Sequence, residues 1–380
     1  MHPLSAVFMG TPEIASDSMK SILELRRANM IDLRAVYTKP PVWNNKKKDF
    51  VISPVSKLAL EHDIDVRTPR TFRDNKDEAD FLKSLNIDLI ILVAFGLILP
   101  QEILNIPKYG ILNLHPSLLP DLRGPAPIHC AILKRIRFSG VSVMALDAGV
   151  DTGPIAAQQK IDAGKDEYYR SLYKRLSLAG AVLLAEVVKT VFKFKLNMRE
   201  CAFSQSSIDP DPFFTLSGLI NTDEQKVDFF TDDPLEIYAK VRAFEENGGA
   251  FFIFKSRAVK LIEARLFADK TELGEDCSSE REGKDGLFFD YCDYADLDCG
   301  LKSLGNDETE KADGKTDKRI PYIFNIPGII VSANKSGLII STIKKGVYMQ
   351  ILKVKPEGKN VMGHADFING YRIKQGDECR

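Results

Sequence analysis

Along the first half of the chain, short unbroken apolar runs alternate with segments whose apolar positions recur at helical spacing. LSAVFMG (4–10) predicts a buried strand ending in a turn at Gly10-Thr11-Pro12. A helix is expected from about Glu13 to Ala28, burying Ile14, Met19, Ile22, Leu23 and Leu25 on one face. LRAVYT (33–38), IDVRT (64–68), DLIILVA (88–94), GILNLH (110–115) and VSVMAL (141–146) predict further strands. Ser53-Pro54 reads as an N-cap with proline at the first helical position, opening a helix to about His62. Helical periodicity returns near 73–85, 126–135 and 168–195. Strands alternating with helices imply a mainly parallel sheet covered on both faces, a Rossmann-like α/β domain. In such sheets ligands sit outside the carboxyl ends of the strands.

Near residue 200 the pattern changes. SQSSIDPDPFF (204–214) is polar and proline-containing, as a linker would be. A helix is expected around 234–244. Period-two runs follow at 250–254, 258–267, 328–333, 337–342 and 347–354, separated by Gly, Asn and Lys turns. They predict a small antiparallel, OB-like β-barrel. Residues 269–325 are rich in Asp, Glu, Gly and Ser, with acidic residues outnumbering basic ones, and read as a mobile acidic insertion. The expected organisation is a Rossmann-like domain over 1–203, a linker over 204–214 and a barrel domain over 215–380.

Composition changes this picture little. A chain of 380 residues has room for two domains, and 44% hydrophobic with 28% charged residues is ordinary for a globular protein. A net charge of -1 excludes a broadly basic nucleic-acid coat, so any phosphate contact must come from local basic patches. The cysteines at 130, 201, 277, 292, 299 and 379 form no CxxC pair and no zinc-like spacing with histidine, so no metal is expected. Met1-His2-Pro3 leads straight into an apolar strand, and no apolar run approaches the roughly 20 residues of a membrane helix. The expectation is a cytoplasmic monomer with reduced thiols.

Two places hold candidate chemistry. VFMGTPEIA (7–15) stands where a dinucleotide-binding chain carries G-x-G-x-x-G, but Thr11-Pro12 replaces the second glycine. A pyrophosphate cannot then approach the backbone closely, and the turn is left either as a plain strand-to-helix connection or as a border of a substrate site. In NLHPSLLPDLRGPAPIH (113–129), Asn113 and His115 share one face of a strand end while Leu114 points the other way. Pro116 then stops the ladder, and Ser117-Leu118-Leu119-Pro120 continues as a restricted loop. Ordinary strand-end capping is the plain alternative for this pair. LDAGVDTGPIAAQ (146–158) adds Asp147 and Asp151, each of which could instead cap a turn. Together Asn113, His115 and Asp151 suit acyl transfer to an amine. An Asn amide donates to a developing oxyanion, and a carboxylate beside His supports a protonated imidazole that can move a proton. Neither loop places a Ser or Cys in an elbow context, which favours direct attack by the amine over an acyl-enzyme.

At these residues the chain resembles the folate-dependent formyltransferases. The resemblance is carried by VFMGTPEIA (7–15), SPVSKLA (53–59), VAFGLILP (93–100), NLHPSLLPDLRGPAPI (113–128) and GVDTGPIAAQ (149–158). In the second half, VDFF (227–230), VRAF (241–244) and KPEGKNVMGHADFING (355–370) also carry it. It implies that Asn113, His115 and Asp151 are catalytic, and that Ser117, Leu118, Leu119 and Pro120 contact a folate. It further implies 10-formyltetrahydrofolate as donor, its pterin near loops 94–99 and 147–151, with neither metal nor ATP required. The acceptor it implies is the α-amino group of methionine on initiator tRNA, for translation initiation. A small amine, such as a purine precursor or an amino sugar, is the alternative acceptor, and a non-catalytic Rossmann module is the third possibility. KPPVWNNKKKDF (39–50) sets Lys39, Lys46, Lys47 and Lys48 around the only tryptophan, residues suited to phosphates and base stacking. This loop departs from the arginine- and glycine-bearing family version. Lys344, Lys345, Lys353, Lys355 and Lys359 are further candidates for RNA contact, with plain surface solubility as the competing reading.

Overall fold

In the computed structural model, residues 2–208, 216–246, 248–268, 326–334 and 337–380 are described. The acidic insertion expected at 269–325 lies outside them. The chain forms two compact units, one of Met1–Ile128, Phe138–Asp162 and Ser171–Leu219, the other of His129–Arg137, Ala163–Arg170 and Ile220–Arg380.

The elements begin with β1 (Leu4–Gly10), α1 (Glu13–Arg27), β2 (Ile31–Tyr37), β3 (Val42–Asn44), β4 (Asp49–Val51), α2 (Pro54–Glu61), β5 (Val66–Arg67) and α3 (Lys76–Ser84). β6 (Leu89–Val93), α4 (Gln101–Leu104), β7 (Ile111–His115), α5 (Pro127–Leu133), β8 (Phe138–Ala145), β9 (Ile155–Asp162), α6 (Tyr169–Phe194) and α7 (Met198–Cys201) follow.

The sheet of the first unit has the order β5-β2-β1-β6-β7-β8-β9. β6 and β7 are buried along their whole length, as parallel strands covered on both faces must be. β8 instead runs antiparallel to β7, and β9 antiparallel to β8, to which it is joined by the short loop 146–154. β9 carries Gln158, Gln159, Lys160 and Asp162 on an exposed edge, which discourages further strand pairing. Ser53 caps α2 by accepting from the Ser56 amide at 2.9 Å, with Pro54 first in the helix.

At the opposite edge, Arg67 donates two bonds to Glu78 at 2.8 and 2.9 Å, and the Tyr37 hydroxyl donates to the same carboxylate at 2.8 Å. Burial alone would raise the Glu78 carboxyl. The bonds from Arg67 and Tyr37 outweigh that effect and hold it below its ordinary value. The 39–50 segment is a hairpin of β3 and β4, too short for a periodic signal. Trp43 pairs with Phe50, their rings edge to face at 5.2 Å, and the Asn44 side chain accepts from the amides of Lys46 and Lys47 at its tip.

The second unit contains α8 (Pro234–Ala243), β10 (Ala250–Phe254), β11 (Arg257–Ala268), β12 (Ile330–Asn334), β13 (Gly337–Ser341), β14 (Val347–Pro356), β15 (Met362–Gly363) and α9 (His364–Tyr371). Its antiparallel sheet runs β10-β11-β14-β13-β12, with β15 beside β14. The C-terminal residues join the two ends of this order. Ile253 and Arg380 exchange backbone hydrogen bonds, while Ile330 donates to Asp377 and Gly376 to Ile330, each at 2.9 Å. The sheet is thereby closed around Phe252, Phe254, Val259, Leu261, Met349, Ile351 and Phe367.

Candidate active site

β7 places Asn113 and His115 on one face of its carboxyl end, paired across β8 with Met144 and Ser142. Both side chains are buried, at 6% and 5% exposure. Asp151 comes from the loop between β8 and β9 and meets them. The Asn113 amide donates to Asp151 Oδ1 at 3.4 Å, and His115 Nδ1 lies 3.6 Å from Asp151 Oδ2. The backbone amide of Gly124 donates to the same Oδ2 at 2.9 Å. His115 Nε2 faces the Leu122 carbonyl at 3.0 Å. A carbonyl can only accept, so Nε2 carries the hydrogen and Nδ1 is the nitrogen left to exchange a proton beside Asp151.

The 146–154 loop is shaped in part by Asp147. Its carboxylate accepts from Gly149 N at 3.0 Å and from Thr152 Oγ1 at 2.8 Å, the turn-capping reading of this side chain. Gly153 closes the turn where no side chain fits, since a Cβ there would stand 1.8 Å from the Ala145 carbonyl oxygen. Asp151 itself has φ 53°, in the left-handed region.

Ser117, Leu118, Leu119 and Pro120 form the loop leaving β7, with a cis peptide bond between Leu119 and Pro120. The Ser117 hydroxyl donates to Asp121 O at 2.6 Å, and Ser142 Oγ of β8 donates to Ser117 O and accepts from Leu119 N. Gln158 of β9 donates to Leu119 O at 2.8 Å. Ser117 and Leu119 are buried, so their side chains are engaged in holding the loop. The prolines are thus only part of what stiffens it. Two strands from β7, at the end of β1, Gly10 abuts Ala15 and the Val93 carbonyl, where a Cβ would come within 2.6 and 2.8 Å. That glycine serves a tight strand-to-helix turn.

Two relationships are set by the fold rather than by local pattern. Gln205 falls in the stretch assigned to a linker, yet it is 3% exposed and bonded to Arg123, Asp151 and Gly153. Lys260 of β11 stands directly opposite Lys355 of β14, a like-charge pair that only strand register reveals. Lys353, by contrast, is paired with Glu263 at 2.7 Å. Among the described residues, no group of three or more His, Cys, Asp or Glu is arranged to hold a metal ion.

The Formyl transferase family model matches residues 5–188, and the Formyl transferase, C-terminal domain model matches residues 219–372. The chain belongs to the formyltransferase family. Curated relatives of this formyltransferase include the methionyl-tRNA formyltransferase of Pelagibacter ubique, 35% identical over 276 residues, covering 73% of this chain and 85% of that one. That of Caldicellulosiruptor saccharolyticus is 29% identical over 374 residues, covering 98% and 99%. Among solved structures, the sugar 3N-formyl transferase WlaRD shares the fold with a TM-score of 0.53 at 19% identity, over 95% of this chain and all of that one. HypX from Aquifex aeolicus does so with a TM-score of 0.54 at 16% identity, over all of this chain and 49% of that one.

Proposed function

We propose that this formyltransferase moves the formyl group of 10-formyltetrahydrofolate to the α-amino group of methionine on initiator tRNA, giving formylmethionyl-tRNA. The convergence of Asn113, His115 and Asp151 at the end of β7 carries the reading. Relatives named methionyl-tRNA formyltransferase, one matching nearly the whole chain, support the acceptor.

The folate brings the formyl group already activated, so the protein needs to supply position, charge and proton transfer. Asn113 donates an amide N–H toward the carbonyl oxygen on which negative charge develops as the amine attacks. His115 receives a proton at Nδ1, where the Asp151 carboxylate meets the resulting positive charge. The same imidazole returns a proton to the departing folate nitrogen, so the amine-to-carbon bond forms as the carbon-to-folate bond breaks. Burial of Asn113 and His115, with Asp151 partly buried beside them, strengthens these interactions relative to water. The stiff Ser117–Pro120 loop lies against the folate.

The β3–β4 hairpin supports an RNA acceptor. Trp43 and Phe50 are 50% and 62% exposed, and Lys46, Lys47 and Lys48 sit at the tip between them. Exposed rings stack on bases and lysines meet phosphates. In the barrel, Lys355 with Lys260, and the turn lysines Lys344 and Lys345, offer phosphate contacts of the same kind.

The test is formylation of methionine-charged initiator tRNA by purified protein supplied with 10-formyltetrahydrofolate, alongside His115→Ala. Product that depends on His115 is expected. Turnover of a small amine but not of charged tRNA would replace the acceptor, and failure to bind folate would overturn the reaction.

A further inference from the structure

We infer that Gln205 is a positioning residue that holds Asp151 in its working conformation, an inference that rests on the transfer reaction proposed above. Asp151 stands at φ 53°, in the left-handed region, which Asp adopts more readily than most residues with a Cβ but at a cost, so that contacts with its surroundings help to hold it there. Gln205 supplies that hold from outside the loop. Its Nε2 donates to the carbonyl of Asp151 at 2.9 Å and to that of Gly153 at 2.7 Å. Its Oε1 accepts from Nε and Nη2 of Arg123 at 2.9 and 2.6 Å. Both ends of the amide are therefore engaged, and the partners fix which atom is nitrogen: carbonyls only accept and a guanidinium only donates.

The contacts form a closed circuit around the site. Arg123 immediately precedes Gly124, whose amide donates to the Asp151 carboxylate at 2.9 Å. It immediately follows Leu122, whose carbonyl accepts from His115. Gln205 thus ties the backbone of Asp151 to the segment that orients both the Asp151 carboxylate and the His115 ring. At 3% exposure its amide has little access to solvent as a substitute partner. Removing it leaves two carbonyls and a guanidinium short of partners and frees Asp151 to leave the left-handed region. The carboxylate then leaves its place beside Asn113 and His115. A displacement of this kind acts on the chemical step while leaving substrate-binding surfaces in place.

A residue that merely packed the 204–208 segment would lower stability without coupling to Asp151, and a double-mutant cycle separates the two roles. Methionyl-tRNA formylation is measured for the full chain, Gln205→Ala, Gln205→Glu, Asp151→Ala and the Gln205→Ala/Asp151→Ala double variant. Gln205→Ala is expected to lower kcat by up to about 100-fold with little change in KM for either substrate. In the Asp151→Ala background the same change is expected to cost nothing more. Gln205→Glu keeps an acceptor for Arg123, and so the fold, but loses both donors and shares the kcat loss. Single variants within about twofold of the parent kcat, or losses that multiply in the double variant, would overturn the inference. A parent chain that does not formylate methionyl-tRNA would overturn the proposed acceptor instead. The crystal structure of Gln205→Glu then decides independently of turnover: Asp151 leaving the left-handed region is expected, and Asp151 unmoved at the same φ overturns the positioning role.

Discussion

His115 Nε2 donates to the Leu122 carbonyl 3.0 Å away, seven residues further along the chain, where the loop folds back over the strand end. This bond sets the tautomer before any substrate arrives, leaving Nδ1 to face Asp151. His115→Ala is expected to lower kcat by about 10²- to 10⁴-fold, the range of a positioned acid–base group. Steady-state formylation kinetics check it, and an unchanged kcat removes His115 from the reaction.

In the proposed reaction Asn113 has a different task, donating to developing negative charge. Its loss belongs in kcat rather than in folate affinity. Asn113→Ala is expected to cost about 10²- to 10³-fold in kcat, as for other single oxyanion donors. Folate binding by fluorescence titration, measured on the same variant, is expected to hold near the parent value.

Gly153→Ala sets a methyl group 1.8 Å from the Ala145 carbonyl oxygen, with backbone on both sides of the clash. The loop must shift, and destabilisation of about 1–3 kcal/mol is expected, as for an overpacked site. Urea denaturation reads it as a lowered midpoint. Activity falls as well, because Asp151 lies two residues away.

Trp43 and Phe50 lose little packing when truncated, since both face solvent at the β3–β4 hairpin. Trp43→Ala is expected to weaken methionyl-tRNA binding by about 1–3 kcal/mol, the value of a base–aromatic stack, with the thermal midpoint unchanged. A rise in KM for tRNA without a rise for folate is the signature. Equal KM values in parent and variant would remove the hairpin from RNA recognition.

His129 opens a pH dependence in the second unit. Burial lowers its imidazole to about 4, and its ring lies 4.2 Å from that of Tyr169. The unfolded chain takes up this proton near pH 6.5, so it binds more protons than the folded chain between about 6.5 and 4. The stability tied to neutral His129 is complete above that window and is lost progressively as pH falls through it. Urea midpoints at pH 7 and pH 5 are expected to differ less in His129→Phe than in the parent.

The first unit was largely legible from pattern because its strands are short, doubly buried apolar runs and its helices carry local caps such as Ser53-Pro54. The separation of Leu114 from Asn113 and His115 followed from strand alternation alone. Antiparallel β8 and β9 depended on a connection too short to hold a helix, and the β3–β4 hairpin on three-residue strands with no measurable period. In the second unit, alternation marked the strands individually. Their closure through Ile253, Ile330 and the C-terminal residues is a long-range backbone matter that no local spacing encodes.

At the site, the sequence alone determined which residue types could perform acyl transfer and which strand end presents two of them. It grouped Asp151 with Asn113 and His115, but neither their distances nor Nε2 as the bonded nitrogen could be read from it. Asp147 and Asp151 both read as turn formers, and only the fold made one a cap and brought the other to the imidazole. Gln205 shows the limit most plainly. A polar residue in a proline-rich stretch has every local feature of a linker. Its burial and its four hydrogen bonds arise because chain segments far apart in sequence place carbonyls and a guanidinium around it. Local propensity and periodicity report on neighbours along the chain, whereas partners for a buried amide are supplied by neighbours in space.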